Sequence, residues 1–331
     1  MAQVTGTYST YDVAGQREEL FNLISNTSPE ETPFMSGIRT MNLQSRHPEW
    51  QTDANATPAN NAQVEGDTFA YTAPTATVRP GNYTQTSTKT FLITRTADIV
   101  DKAGRDRETA YQKIKQGVEL RTDVEVALVS NQASVAGNDT TARQSAGFPA
   151  WITSNDSRGA GGADGGFSAG IVAVATNGTQ RAFTKVINDT VIIAAYNSGG
   201  NVTRVVCSPY VKTVMTTFMS DTNVAAFRYA ADTKKNAIIA AADIYLSDFG
   251  EIEFFPNRQM ARAGAGVARN ALYVDPGKIA LGWLDPIHED REVARVSDAT
   301  PTVLICEFSL IMKNQAAHGI AADLFGLTAS T

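Results

Sequence analysis

The chain has 331 residues, 43% of them hydrophobic and 19% charged, with 34 acidic against 28 basic side chains and a formal net charge of −6. This apolar fraction excludes a disordered chain and is enough, at this length, for two packed subdomains. An acidic balance without a sustained basic run excludes the electrostatic footprint of a tight nucleic-acid binder.

The start, MAQVTGTYSTYDV, has neither a basic flank nor an apolar core, and apolar runs such as residues 237–242 are far too short to cross a bilayer. Neither secretion nor membrane insertion is expected. Cys207 and Cys306 each lie in an apolar, strand-like stretch, which suits buried reduced thiols better than a disulfide framework.

Residues 1–44 read as an arm. Leu20, Phe21 and Ile24 recur at helical spacing within residues 16–25, and Ser28 followed by Pro29 and Glu31 has the form of a helix N-cap with proline at the first position. Pro33, Phe34 and Met35 form either an apolar plug for another surface or a loop packed on its own body. Residues 45–95 show no helical period, and extended stretches at 68–71, 75–79 and 84–94 suggest a long β-hairpin-like excursion. In the last stretch Thr86, Thr88, Thr90, Leu92 and Thr94 fall on one face, Phe91 and Ile93 on the other. Some fifty residues without a core, carrying Phe69, Tyr71, Tyr83 and Phe91, point to a segment that packs on a neighbour.

Residues 105–133 predict one long helix of roughly 43 Å. Its apolar stripe is Tyr111, Ile114, Val118, Val124 and Leu128, with Lys115/Glu119 and Arg121/Glu125 as surface i,i+4 pairs and Gly117 an unfavourable interior residue. Residues 136–170, with the glycine run RGAGGADGG, read as a flexible surface loop; neither G-x-x-x-x-G-K-[ST] nor a strand-to-helix G-x-G-x-x-G occurs in it.

The second half predicts a mixed α+β body. A helix over residues 184–197 stops at Gly199-Gly200, and a strand over 202–207 leads through Ser208-Pro209 into a helix carrying Val211, Val214, Met215, Phe218 and Met219. A hairpin joins residues 244–246 to 252–255, and strands follow at 272–274, 279–284, 303–313 and 317–324.

Chemistry-bearing constellations are sparse. His47, His288 and His318 are far apart, and the densest cluster is Asp285 with His288-Glu289-Asp290; consecutive residues there cannot all project to one metal. A soluble metal-dependent hydrolase using Asp285, His288 and Asp290 is the reading from another functional class. Arg258, Arg262 and Arg269 group in one stretch, either as a solvated loop or as a contact for acidic patches on a neighbour.

Three stretches, residues 16–38 (QREELFNLISNTSPEETPFMSGI), 47–53 (HPEWQTD) with Glu65-Gly66, and 307–319 (EFSLIMKNQAAHG), resemble the signposts of tailed-bacteriophage major capsid proteins, most nearly the podovirus-type head proteins. The resemblance runs in order over nearly the whole chain. It implies an α+β Hong Kong 97 fold with an N-terminal arm (1–44), an extended loop (45–95), a long spine helix and following loop in the peripheral domain (96–170), an axial domain (171–270), and C-terminal strands returning to the peripheral domain (271–331). The implied function is self-assembly into pentamers and hexamers of a virion shell enclosing double-stranded DNA without sequence-specific binding, with scaffolding, portal and decoration proteins as further partners. No cofactor, metal or catalytic site is implied. Phe34 and Met35 of the arm, Trp50, Phe69 and Tyr71 of the loop, and Arg258 and Arg262 of the body are the expected inter-subunit contacts. An encapsulin-like nanocompartment shares the fold and is the structural alternative. No residue matches a motif for the Lys-to-Asn crosslink of one branch of the fold.

Overall fold

The computed structural model describes residues 7, 24–69, 71–216, 243–290, 293–295 and 297–325. The apolar stretch 16–23 predicted to be helical lies outside them. The arm's helix, α1 (Pro33–Gly37), starts at Pro33 rather than Pro29, because the Ser28 hydroxyl turns to Asn26 Oδ1 (2.8 Å) and caps nothing. Strand β1 (Arg39–Asn42) follows. The extended loop has two antiparallel bridges at its root, Glu49 with Gly81 and Thr52 with Val78. Beyond these, the described residues of 53–77 form no ladder; of the strands expected at 68–71 and 75–79, only Val78 is paired among the described residues, through its bridge to Thr52. The returning strand β2 (Gln85–Thr94) has the predicted alternation, Thr86, Thr88, Thr90, Leu92 and Thr94 all facing outward.

The Thr94 hydroxyl caps α2 (Arg95–Ile99), and α3 (Glu108–Val129) is the long helix. Its 22 residues give about 33 Å, shorter than expected. Residues 105–107 form a lead-in closed by Arg105 Nε on Glu108 Oε2, and the helix ends at Ser130, whose extended backbone breaks the ladder. The second half of α3 is buried through Leu120, Val124 and Leu128, while Ile114 in the first half is 74% exposed. Lys89 Nζ on Asp123 and Lys113 Nζ on Glu289, both 2.7 Å, tie α3 to the strands beside it.

The stretch predicted as a flexible loop is packed over residues 145–152, while residues 138–142 are exposed. In α4 (Phe148–Trp151) all four side chains are buried, for aromatic and proline surface of this size is driven from water wherever a core can receive it. Its short strands are β3 (Asp156–Ser157), β4 (Gly166–Ser168) and β5 (Ile171–Ala173). Helix α5 (Lys185–Asn197) is capped by Thr184, with Gly199 at φ +83° just past its end, where only glycine is unstrained. Its buried face is Asn188, Val191, Ile192 and Ala195, and Val186 points to solvent.

Strand β6 (Arg204–Cys207) runs into α6 (Pro209–Met215), capped by Ser208; the predicted continuation through Phe218 and Met219 lies outside the described residues. The hairpin β7 (Ile244–Ser247) with β8 (Gly250–Pro256), then 3-10 turns at Arg258–Ala261 and Val267–Arg269, lead to β9 (Ala271–Val274), β10 (Ile279–Asp290), β11 (Ala299–Met312) and β12 (Gly319–Ala321). A 3-10 turn at Gln315–Ala317 delays and shortens the last strand.

One sheet has the order β1-β10-β11-β2 and lies under α3; a second, β3-β12-β9-β6-β8-β7, is covered by α5 and α6. The first core joins Leu120, Val124 and Leu128 to Phe148, Leu281, Phe308 and Leu310; the second joins Val191 and Ile192 to Val205, Val211, Phe254 and Tyr273. Cys207 and Cys306 are buried free thiols, both pushed up to about 12 by burial.

His318 is buried with its ring edge-on to Phe148 (5.7 Å), and its Nδ1 accepts a hydrogen bond from the Asp275 amide (3.1 Å). Burial lowers its pKa to about 4. Below its ordinary pKa the unfolded chain takes up a proton that the folded chain refuses, so stability falls as pH drops from 6.5 towards 4. The expected loss is about 3 kcal/mol, read from urea midpoints across that range, and His318→Gln should flatten the slope.

Candidate inter-subunit surfaces

The described part of the arm, from residue 29 on, is locked into its own body. Thr32 provides no side-chain cap to α1, and the N-terminal amides of the helix are satisfied instead by Glu125 of α3. Glu125 Oε1 accepts from the Phe34 amide (2.8 Å) and from Asn257 Nδ2 (2.7 Å), and Oε2 accepts from the Met35 amide (2.7 Å). A carboxylate from a distant helix thus does the work of a local cap. Glu125 is fully buried, and burial raises its pKa against the opposing pull of these three donors. Further along, Gln259 Nε2 donates to the Pro29 carbonyl (2.7 Å), and the Arg204 guanidinium lies 3.9 Å over the Phe255 ring.

Two expectations are corrected by this arrangement. Phe34 is 1% exposed, edge-on to Phe148 at 5.7 Å, and Met35 packs against the same core, so the plug fills a pocket of its own chain. Burial of a phenyl ring in that pocket outweighs holding it in water for a partner. The presumed surface pair Arg121/Glu125 does not exist as such, since Glu125 turns inward. Nothing in the local pattern separates it from a surface acid; the only trace is its place between Val124 and Leu128.

The loop's root is equally fixed. Trp50 lies 5.6 Å from Trp151, which stacks on Phe167 at 6.1 Å, and His47 stacks on Tyr83 at 4.2 Å. Arg79 pairs with Glu49 across the neck (3.2 Å). Asn82, fully buried, donates to the Leu310 carbonyl (2.8 Å) and accepts from the Ala146 amide (3.0 Å), binding the loop's return to β11. The tip is different: Val64 and Phe69 are each 78% exposed and Tyr71 is 94% exposed. Of the expected loop contacts, Trp50 therefore belongs to the anchored root, and Phe69 and Tyr71 to the unpartnered tip.

Arg258 and Arg262 sit exposed at the 3-10 turn beside the arm, where the Arg262 guanidinium reaches Gln259 Oε1 (3.3 Å). Arg262 also rims an open groove of about 460 Å³ floored by Tyr111, Ile114 and Val118 of α3. These three are the part of the predicted stripe that the described residues leave uncovered.

Asp285 and His288 approach to 3.3 Å on β10, about half exposed. Among the described residues, no three His, Cys, Asp or Glu side chains converge as a metal site, and no helix is long and apolar enough to cross a membrane. The geometry gives the hydrolase reading no enclosed site.

Comparison with known proteins points to phage capsids. The chain is 33% identical over 208 residues to the major capsid protein of Escherichia phage Phieco32, a match covering 59% of this chain and 58% of that relative, so it spans under two thirds of the relative's length. Its fold matches the capsid asymmetric unit of Cyanophage A-1(L) with a TM-score of 0.70 at 12% identity, over 96% of this chain and 98% of the other. A structure from Gordonia phage Cozz matches with a TM-score of 0.59 at 11% identity, over 97% and 96% of the two chains. The Hong Kong 97-type fold expected from the resemblance is thus the observed one. The family model described as SU10 major capsid protein matches residues 3–325, from the arm to just beyond β12, and the chain belongs to that family.

Proposed function

We propose that this chain is the repeating unit of a tailed-phage head, closing with copies of itself into pentamers and hexamers of an icosahedral shell around double-stranded DNA. The observation that carries the reading is the family match over residues 3–325, on a fold shared with phage capsids. Its working parts are interfaces rather than a catalytic site. The loop tip, rigid at the root and apolar at Phe69 and Tyr71, has the form of a contact for an adjacent subunit, and many modest contacts repeated around a closed shell give stability by multivalency. Phe34 and Met35 support the shell indirectly by fixing the arm, whereas Arg258 and Arg262 are free to meet acidic neighbours. The net charge of −6 suits a container that holds DNA without gripping it. The chain is made in the bacterial cytoplasm and ends in the virion, and scaffolding, portal and decoration proteins are the partners of such a shell.

Electron microscopy and analytical ultracentrifugation of the expressed protein test the reading, with shells or species near five and six times 35.4 kDa as the expected result. A protomer that stays single even when co-expressed with its scaffold would overturn it. The double variant Phe69→Asp, Tyr71→Asp should cut shell yield at least ~10-fold, through charge placed in an apolar contact, while its thermal unfolding stays within about 0.5 kcal/mol of the parent.

Deleting residues 1–40, the obvious way to remove the arm, would strip Phe34 from the core. A deletion confined to residues 1–23 removes the outer arm alone.

A further inference from the structure

Strand β2 is an edge of its sheet, and its outer side has no backbone partner among the described residues. The ladder with β11 fixes which of its groups point outward. The Arg95 amide donates to the Asp298 carbonyl (3.1 Å), in the register that sets Thr94 opposite Ala299. The alternation of an antiparallel pair therefore turns the backbone of Ser87, Lys89 and Phe91 towards β11, and that of Thr86, Thr88, Thr90 and Leu92 away from it. These last four line an open edge of about 20 Å.

Proteins ordinarily blunt an edge of this kind. The half of β10 that β1 leaves uncovered is blunted, by Pro286, by two register shifts and by Asp285, Glu289 and Asp290. Strand β2 has no proline and an unbroken register, and its one charged side chain, Lys89, turns away to Asp123 of α3.

We propose that this edge is the seat of an added strand, residues 71–77 from the loop of a second copy. The inference rests on the proposed assembly of copies. An unpaired extended stretch and an unpaired edge are the two halves of one ladder, and the loop supplies the first half. Residues 71–77 are exposed throughout and pair with nothing in their own chain. Seven extended residues span about 23 Å, enough to cover the edge. Residues 68–78 carry no charge, and neither does the outward face of β2, so pairing strips no ion of its water. Tyr71 and Leu92, 94% and 63% exposed, gain apolar cover. Pro74 lacks an amide hydrogen, which an added strand tolerates because it is itself an edge with alternate nitrogens facing solvent. Each copy would receive one loop and give one, a head-to-tail contact that closes in a ring.

A photo-crosslinker, benzoylphenylalanine in place of Thr90, tests the occupant in full-length protein mixed from isotopically heavy and light chains. Heavy-to-light crosslinks at residues 71–77 are the expected result. Hydrogen exchange over residues 85–94 should show about four further amides slowed at least ~10-fold on assembly. Thr90→Pro, which deletes an outward amide and spares the β11 ladder, should cut assembly at least ~10-fold with exchange in α3 unchanged. Crosslinks to a second β2, to β1 or to a different protein would mean another occupant, and each overturns the proposal. Shells whose β2 amides exchange as in the unassembled protein overturn it and leave the shell reading standing. Chains linked through residues 71–77 without shells do the reverse, and chains that neither link nor assemble overturn both.

Discussion

Replacing Glu125 with alanine should destabilise the chain by about 3 kcal/mol and lower its melting temperature by several degrees. The substitution removes the acceptor of the Phe34 and Met35 amides and of the Asn257 side-chain amide, leaving three donors in a site buried from bulk water. Each such orphan costs about 1–3 kcal/mol, less whatever the arm recovers by peeling away. Glutamine is a poor replacement, for its amide presents a donor to a site made of donors, so Glu125→Gln should recover less than half of the loss.

The pH dependence carries a sign. Burial raises the Glu125 pKa, so the folded chain keeps this proton to higher pH than the unfolded one. That contribution is full below the ordinary carboxylate range and is lost as pH rises through the raised pKa, opposite to the His318 effect. In Glu125→Ala the downward slope above pH 4.5 should vanish while the His318 slope remains. A wild-type slope retained in the variant would show that Glu125 is not its source.

The second large effect is expected at Gly147. Its backbone, φ −85° and ψ 167°, suits any residue, so the constraint is space alone. A Cβ there would lie 1.9 Å from the Ser130 carbonyl oxygen and 2.9 Å from that of Ala127, both backbone atoms at the end of α3. Backbone cannot swing aside as a side-chain tip can. Gly147→Ala should therefore cost about 3 kcal/mol or more by forcing α4 off α3, and should sharply reduce soluble yield. Gly117 is the internal control: a Cβ there meets nothing within 4 Å, and Gly117→Ala should stabilise by about 1 kcal/mol, since alanine is the better helix former. Denaturation midpoints of the two variants should move in opposite directions, and parallel shifts would refute the steric account.

What was legible in the sequence was what short-range chemistry decides. Ser208 as a cap, Gly199 past the end of α5, the β7–β8 hairpin and the alternation of β2 each depend on residues within a few positions of one another. The resemblance supplied the global plan, and the family and fold agree with it. What was not legible depends on partners far along the chain. Glu125 meets Phe34 across 91 residues and Asn257 across 132, and a surface acid and a buried one look alike until those partners are known. The glycine-rich stretch reads as a flexible loop for the same reason: Gly147 and Gly159 mark sites where backbones nearly touch, not where the chain is loose. Of the contacts expected at the surface, Phe34 was misplaced because apolar character alone does not say whose core a side chain enters.

The order β1-β10-β11-β2 places two strands from the last fifth of the chain between two from the first third, with β1 parallel to β10 and β2 antiparallel to β11. During synthesis the outer strands emerge long before anything exists for them to pair with. The sheet cannot close until residue 312 has left the ribosome, so prematurely terminated chains have no complete body to offer. Topology therefore acts as a length check on the body: only a chain translated through residue 312 can close this sheet.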